Sequence, residues 1–417
     1  MKKYYFAILV AALSCFLLAS CLSTTRSSDK SEETPVEAGT TDASDTTTAT
    51  TKPSETPKPS EIPETVSTEP PATSSKPEHD PSDESRAREI LQGMTLEEKV
   101  GQMFFVRCPE TEAVSAVTTW HLGGYILFAR DFDGKTEEQV IGEIGSYQAA
   151  SAIPMLIGVD EEGGTVVRIS KFSQFRAEPF MSPQALFTAG GLELIRSDAA
   201  EKADLLLKLG LNVNLAPVCD VSTNPDDFIY ARSFGQSAED TAAYVTAVVE
   251  EMTGRKVGCV LKHFPGYGNN VDTHTGISFD NRSYDTFVTS DFLPFSAGIN
   301  AGAGAVMVSH NIVACMDALL PSSLSPAVHE VLRDELGFTG VIMTDDLYMD
   351  AIQDYTGGKE AAVMAVLAGN DMIISTDFEV QIPAVLEAVQ NGEISETVIN
   401  ESVVRVLIWK LSLGIIS

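Results

Sequence analysis

From Val100 onward, short apolar runs alternate with longer segments whose apolar residues recur at helical spacing. The runs Val100–Val106, Gly123–Phe128, Met155–Asp160, Val213–Val218, Val257–Leu261, Ala305–Ser309, Gly340–Thr344 and Met372–Ser375 predict eight strands. Between them, helices are predicted at Glu137–Ala150, Ser197–Leu209, Asp240–Met252, Thr289–Ala301, near Pro326–Leu336, at Lys359–Ala368 and at Gln381–Asn391. An amphipathic helix, Ser395–Leu413, closes the chain. Ahead of the first run, Ser85–Leu91 reads as a helix, and Thr95 with Glu98 forms a capping box for another. The strands are continuously apolar, which suits a parallel sheet covered by helices on its outer face. About eight strand–helix alternations in a span of this size predict an α/β fold of the TIM (β/α)8 barrel type. The alternative is a doubly wound open sheet. Against it, no glycine-rich dinucleotide fingerprint follows any strand.

The first 85 residues have a different pattern. Residues 1–20 carry Lys2-Lys3 and then an apolar core from Phe6 to Leu18, too short for a membrane span and typical of a secretory signal. The signal ends Leu18-Ala19-Ser20-Cys21, similar to the lipobox of bacterial lipoproteins, which implies cleavage before Cys21 and a lipid anchor on its sulfur. Residues 21–85 are Ser, Thr, Pro and Glu with almost no aromatic side chain, so they are expected to remain a disordered, spacer-like stalk. Residues 86–417 are left as one catalytic-size domain. The expected location is the extracytoplasmic face of a cell membrane.

A net charge of −31 excludes nucleic acid as a partner and favours solubility without bearing on fold. Cys15 leaves with the signal, and Cys108, Cys219, Cys259 and Cys315 show neither CxxC nor even spacing. Buried thiols are therefore expected rather than a disulfide framework or metal ligands.

In a barrel, functional side chains gather at the C-terminal ends of the strands. There the chain places Asp160-Glu161-Glu162, Asp220, Arg232, Lys262-His263, Ser309-His310 and Asp345-Asp346, with Asp272-Thr273-His274 in the Gly/Asn-rich loop after Phe264-Pro265. Each residue also has a plainer reading. Asp160 and Asp345 would serve as helix N-caps, and the acidic pairs together would suit a hard cation. His263 and His310 would be buried imidazoles, Arg232 and Lys262 structural ion-pair partners, and Asp272 the start of an Asx-turn. Joint placement at consecutive strand ends favours chemistry.

The motifs VDEEGG (159–164), LAPVCDV (215–221), ARSFG (231–235), LKHFPGYG (261–268), Asp272-x-His274 and VIMTDDLYM (341–349) occur in this order across the folded region. Carrying them, the chain resembles glycoside hydrolase family 3, in its single-domain β-N-acetylglucosaminidase branch. The resemblance implies a retaining hydrolysis of terminal β-linked N-acetylhexosamine through a covalent glycosyl-enzyme intermediate. Asp345 matches the nucleophile, His274 the acid/base and Asp272 its orienting partner. Asp160, Arg232, Lys262 and His263 match positions that grip sugar hydroxyls, with Asp220 and His310 as further rim candidates. No metal or other cofactor is implied. The expected partners are a carbohydrate substrate, drawn from cell-wall or other glycan fragments, and the membrane holding the anchor, with the protein a monomer. Three departures stand out. Gly266-Tyr267-Gly268-Asn269 replaces the more usual Gly-His-Gly-Asp, the loop is one residue shorter before the Asp-x-His pair, and Glu161 stands where Gln or His is more usual. Rival readings are a β-glucosidase or β-xylosidase of the same family, a phosphorylase, and a sugar-binding lipoprotein without turnover.

Overall fold

The structure is a computed structural model and describes residues 81–270, 273, 276–356 and 361–417. The expected signal, Cys21, nearly all of the stalk, and Asp272 and His274 lie outside the described residues. Eight parallel strands form one sheet: β1 (Phe104–Arg107), β2 (Gly124–Leu127), β3 (Leu156–Val159), β4 (Val213–Asn214), β5 (Gly258–Phe264), β6 (Ala305–Val308), β7 (Val341–Thr344) and β8 (Ile373–Ser375). They lie in chain order, with β8 beside β1. A bridge from Met343 to Met372 and a hydrogen bond from Thr344 N to Met372 O (3.2 Å) join β7 to β8 and close the sheet. The result is the expected TIM barrel.

Strand periodicity sorts the side chains into two layers. Phe105, Ile126, Leu156, Val213, Val260, Ala305, Met307, Val341, Met343 and Ile374 face inward and form one apolar cluster. Their neighbours, such as Phe104, Val106, Ile157, Leu261, Val306 and Ile342, pack outward against the helices. The closing helix, Glu396–Ser412, seals the N-terminal end with Trp409, which belongs to the interior cluster. A Cβ on Gly304 would stand 2.1 Å from the Trp409 Nε1, so the strand can approach the indole only as glycine.

Most predicted elements occur with shifted ends. Val100, Gly101 and Gln102 form the last turn of the helix Leu96–Gln102, not the start of β1; the Thr95–Glu98 capping box launches a helix that reaches Met103 before the chain extends. The helix before β4 begins at Pro183, far ahead of Ser197, and bends at Gly190 and Gly191. β4 is only two residues long, and its pairing with β5 resumes past Pro217 at the Val218–Lys262 bridge. β5 instead runs past Leu261 to Phe264. Cys108, Cys219 and Cys259 are buried and Cys315 exposed, all as free thiols.

One buried charge lies far from the strands' C-terminal ends. Lys410 is fully buried, donates to Gln102 Oε1 (2.7 Å), and is pushed down to about 7 by burial. A lysine whose folded pKa is lowered binds its proton more tightly in the unfolded chain. Stability should therefore rise between about pH 7 and 10.5 as the unfolded chain loses its preference for that proton. Lys410→Met is expected to gain ~1–4 kcal/mol at pH 7 and to abolish that rise, measured as Tm at pH 7 and 9.5. A variant less stable at both values would count against a destabilising ammonium.

Candidate active site

The inward parity of several strands continues past the apolar layer and there, except at Phe128, turns polar. Phe105 leads to Arg107, Ile126 to Phe128, Leu156 to Asp160, Val260 to Lys262, and Met343 to Asp345. These residues, with Arg168, Arg232, His263, Asp346 and Met349, line a cavity of about 280 Å³ whose floor is Leu215, Met307 and Ile374. A second hollow, of about 370 Å³, lies among Ile90, Met94, Val117, His121 and Ile153, near the N-terminal ends of the strands. It is largely apolar, and its one carboxylate, Glu98, is occupied by the Thr95 N–H of the capping box. The chemistry is gathered at the C-terminal end.

Lys262 is the centre of that cavity's charge network. Its Nζ lies 2.7 Å from Asp160 Oδ1 and 2.7 Å from Glu162 Oε1. Glu162 also takes both prongs of Arg232, from Nε (3.0 Å) and Nη2 (2.7 Å). Burial alone would push Lys262 down, yet Asp160 and Glu162 hold it above its ordinary value. Burial likewise opposes ionisation of Glu162, but Lys262 and Arg232 overcome it and keep the carboxyl well below its usual range. Burial would lower Arg232 too, but Glu162 keeps it above its ordinary value. Each buried charge of the network has a partner of opposite sign.

His263 is held between two partners. Its Nδ1 lies 2.7 Å from Asp220 Oδ2, and its Nε2 lies 3.2 Å from Arg232 Nη2, a donor-only group. Those partners require a proton on Nδ1 and a lone pair on Nε2, which sets the tautomer. Consecutive Lys262 and His263 both reach the cavity because the β5–β6 register shifts between Leu261 and Phe264. The Lys262–His263 and Phe264–Pro265 peptide bonds are cis.

Asp345 follows β7 and is half-buried, and its Oδ1 accepts from Asp346 N (2.8 Å). Asp346 also borders the cavity, but its carboxylate accepts from Thr376 N (3.0 Å) and Thr376 Oγ1 (2.5 Å). His310 lies outside the cavity lining; its Nε2 reaches Asp346 O (3.1 Å) and its Nδ1 Ser323 Oγ (2.7 Å), bracing the turn that presents Asp345. Asp220 is also behind the wall, accepting from the backbone N–H of His263 (3.1 Å) and of Tyr267 (2.7 Å). Both rim candidates are supports.

Glu161 has a similar role. It is buried and accepts from the N–H groups of Arg168 (2.8 Å), Ile169 (2.8 Å) and Ser170 (3.3 Å), shaping the loop that carries Arg168. With Glu161, Glu162 and Asp346 engaged in this way, the acidic strand ends act as anchors and ion-pair partners rather than as the cation site that their spacing also allowed.

The loop after β5 is tethered at its root. Arg282 donates to Gly266 O (3.0 Å) and pairs with Asp280 (2.8 Å) and Asp291 (2.9 Å), while Asn270 Nδ2 donates to Asp280 Oδ2 (2.7 Å). Gly266 and Gly268 have positive φ (125° and 53°), and a Cβ on either would collide with Asp291 or Arg282. Burial pushes the Asp291 carboxyl up to about 6 despite Arg282. Tyr267, where His is more usual, is buried edge-on to the His263 ring (5.1 Å), and its hydroxyl meets Thr273 Oγ1 (2.5 Å).

Asp160, Arg232, Lys262, His263 and Asp345 thus share one cavity. Sequence reasoning gave Glu162, which joins Lys262 to Arg232, no role beyond a share in a cation site, and it passed over Arg107, Phe128 and Arg168. Strand parity would have found Arg107 and Phe128, since each stands two residues beyond an inward apolar side chain.

Known proteins match this chain along the barrel. The chain is 32% identical to Beta-hexosaminidase LpqI of Mycobacterium tuberculosis over 331 residues, covering 75% of this chain and 82% of that protein. It is 33% identical to a Beta-hexosaminidase of Stenotrophomonas maltophilia over 305 residues, covering 70% and 88%. Among solved structures, a glycoside hydrolase family 3 beta-N-acetylglucosaminidase from a Paenibacillus species superposes with a TM-score of 0.72 at 33% identity, over 78% of this chain and 63% of that longer one. The Glycosyl hydrolase family 3 N terminal domain matches residues 95–408, from the first capped helix to the helix that seals the barrel, and the chain belongs to that family.

Proposed function

We propose that this protein is a retaining exo-β-N-acetylglucosaminidase acting on terminal β-linked N-acetylhexosamine. The observation that carries the reading is the cavity in which Asp345 faces the Lys262-centred clamp. Its apolar floor makes it blind-ended, which suits the terminal sugar of a chain rather than an internal one. Relatives sharing about a third of its residues are named beta-hexosaminidases.

In this mechanism Asp345 attacks the anomeric carbon from the face opposite the leaving group, forming a C–O bond as the glycosidic C–O bond breaks. His274, oriented by Asp272, protonates the departing oxygen. The same imidazole then takes a proton from water as that water displaces Asp345 and frees the sugar. Asp160 and Lys262 hold sugar hydroxyls, while Arg232 and His263 complete the grip, fixing the ring before reaction.

Turnover of aryl β-glycosides tests the reading. Preference for the N-acetylglucosaminide over glucoside and xyloside, unchanged by added phosphate, is expected; glucoside preference or phosphate stimulation would replace it with a rival. His274→Ala should slow substrates with poor leaving groups ~10²-fold or more beyond its effect on activated aryl glycosides, which scarcely need the proton. Equal losses on both would remove His274 as the acid.

The same reading places the enzyme, as a monomer, on the extracytoplasmic membrane face. A lipid on Cys21 would anchor it and the 21–85 stalk would carry it to cell-wall fragments. The support is the leader and the Ser/Thr/Pro/Glu composition. Incorporation of labelled fatty acid, lost in Cys21→Ser, is the expected result; equal labelling of both chains would refute the anchor.

A further inference from the structure

Among the described residues, three aromatic side chains are more than a third exposed: Phe228 (37%), Phe279 (59%) and Tyr348 (56%). All three lie in segments that follow the C-terminal ends of strands, Phe228 after β4, Phe279 after β5 and Tyr348 after β7. Elsewhere among those residues no Phe, Tyr or Trp is as open. A single exposed apolar side chain is ordinary, but aromatic faces left in water only at the end that carries the chemistry mark a place of contact.

Phe228 and Tyr348 border the mouth of the cavity. The Phe228 ring lies 5.8 Å from that of Tyr267, tilted by 59°, and Tyr267 meets edge-on the ring of His263, a lining residue. Arg232, also of the lining, follows Phe228 in the same loop. Tyr348 stands between Asp346 and Met349, both of the lining, and its N–H donates to Asp346 Oδ1 (3.0 Å), which fixes the turn beside Asp345. Neither ring lines the cavity itself, so both lie outside the space that takes the terminal sugar. Their strands, β4 and β7, stand three places apart around the closed sheet, so the rings approach the mouth from two sides.

What meets them follows from the shape of the site. The cavity of about 280 Å³ ends on the floor of Leu215, Met307 and Ile374, so the terminal sugar enters through the mouth and the rest of its chain remains there. A β-linked hexosamine carries its substituents equatorially and leaves axial C–H bonds on its faces, whose weakly positive hydrogens suit the negative face of an aromatic ring. An anionic membrane surface fits less well. The chain has 59 Asp and Glu against 28 Lys and Arg, and Asp226, Asp227, Asp346 and Asp350 flank the two rings. We propose that Phe228 and Tyr348 form the subsite for the sugar on the leaving side of the scissile bond, making the enzyme selective for oligosaccharides over glycosides of small alcohols. The inference rests on the hexosaminidase reading above and adds the leaving group it prefers.

The test compares kcat/KM for a β-1,4-linked N-acetylglucosamine disaccharide with that for trifluoroethyl β-N-acetylglucosaminide, whose alcohol is about as acidic as a sugar hydroxyl but has no ring. The full-length wild type should favour the disaccharide at least ~10-fold. Phe228→Ala and Tyr348→Ala should each cut that ratio ~3-fold or more, while Phe228→Tyr and Tyr348→Phe, which keep a ring, retain it. Because the ratio is taken within one protein, partial misfolding lowers both rates alike and does not imitate the result. A wild-type ratio near one would overturn the subsite and leave the hexosaminidase reading intact. A preference unchanged in either alanine variant would overturn the assignment to this pair of rings. Sedimentation of the Cys21→Ser chain with phosphatidylglycerol vesicles, lost in the alanine variants, would reassign the rings to a membrane and overturn the proposal. Failure to turn over either substrate would overturn both readings.

Discussion

Asp345→Ala is expected to lower turnover of an aryl β-N-acetylglucosaminide by ~10⁴-fold or more, with the barrel still folded by circular dichroism. The loss follows from chemistry at one atom pair. Without the carboxylate no covalent intermediate forms, and water must attack a carbon that nothing has activated. Asp345 suits the role because its strand's inward parity carries it into the cavity that Lys262 and Arg232 also line, with Asp346 N steadying Oδ1 at 2.8 Å. Azide should restore turnover of an activated substrate in this variant, because a small anion can attack from the space the carboxylate leaves. Attack opposite a β-leaving group yields the α-azide, so product configuration identifies the mechanism. Turnover undiminished in Asp345→Ala would remove it as nucleophile.

Glu162→Gln should have the second-largest effect, and it should show in stability as well as rate. Glu162 is 2% exposed and holds Arg232 through two hydrogen bonds and Lys262 at 2.7 Å. An amide of the same shape would leave two buried cations short of a negative partner, at a cost of ~3–5 kcal/mol. Lys262 and Arg232 would also lose their fixed positions, so kcat/KM should fall by about 10²-fold. The pH dependence identifies the cause. The folded pKa of Glu162 lies below its unfolded value of 4.5, so its stabilisation is fully present above that pH and is lost as pH falls through the folded value. The wild type should therefore lose more stability than Glu162→Gln on acidification below pH 4.5, measured by urea unfolding. Parallel acid profiles would show that the carboxylate does not hold this network together.

Some of the site was legible locally. Asp160, Lys262 and Asp345 each sit where an apolar strand ends, and the alternation of a half-covered strand sends them inward. Thr95 and Glu98 capped the predicted helix because that bonding is local. Boundaries were harder. Val100–Gln102 reads as strand by composition, but helical continuity from the cap governs it; tertiary packing gives β4 two residues and β5 seven. Glu161 and Glu162 are adjacent and chemically alike, yet one binds backbone amides of its own loop while the other bridges side chains from β5 and from the loop after β4.

The eight strands, the strand-end acids and bases, and the ordered motifs were determined by the sequence alone, because each depends on neighbours within a few residues. Tertiary structure alone decided which charges are paired. It brought Glu162 to Arg232 and Lys262 across separations of 70 and 100 residues, and set Arg107 and Arg168 on the Phe128 ring. Pairing depends on distance and burial, and a chain closed into a ring makes residues neighbours that local spacing keeps far apart.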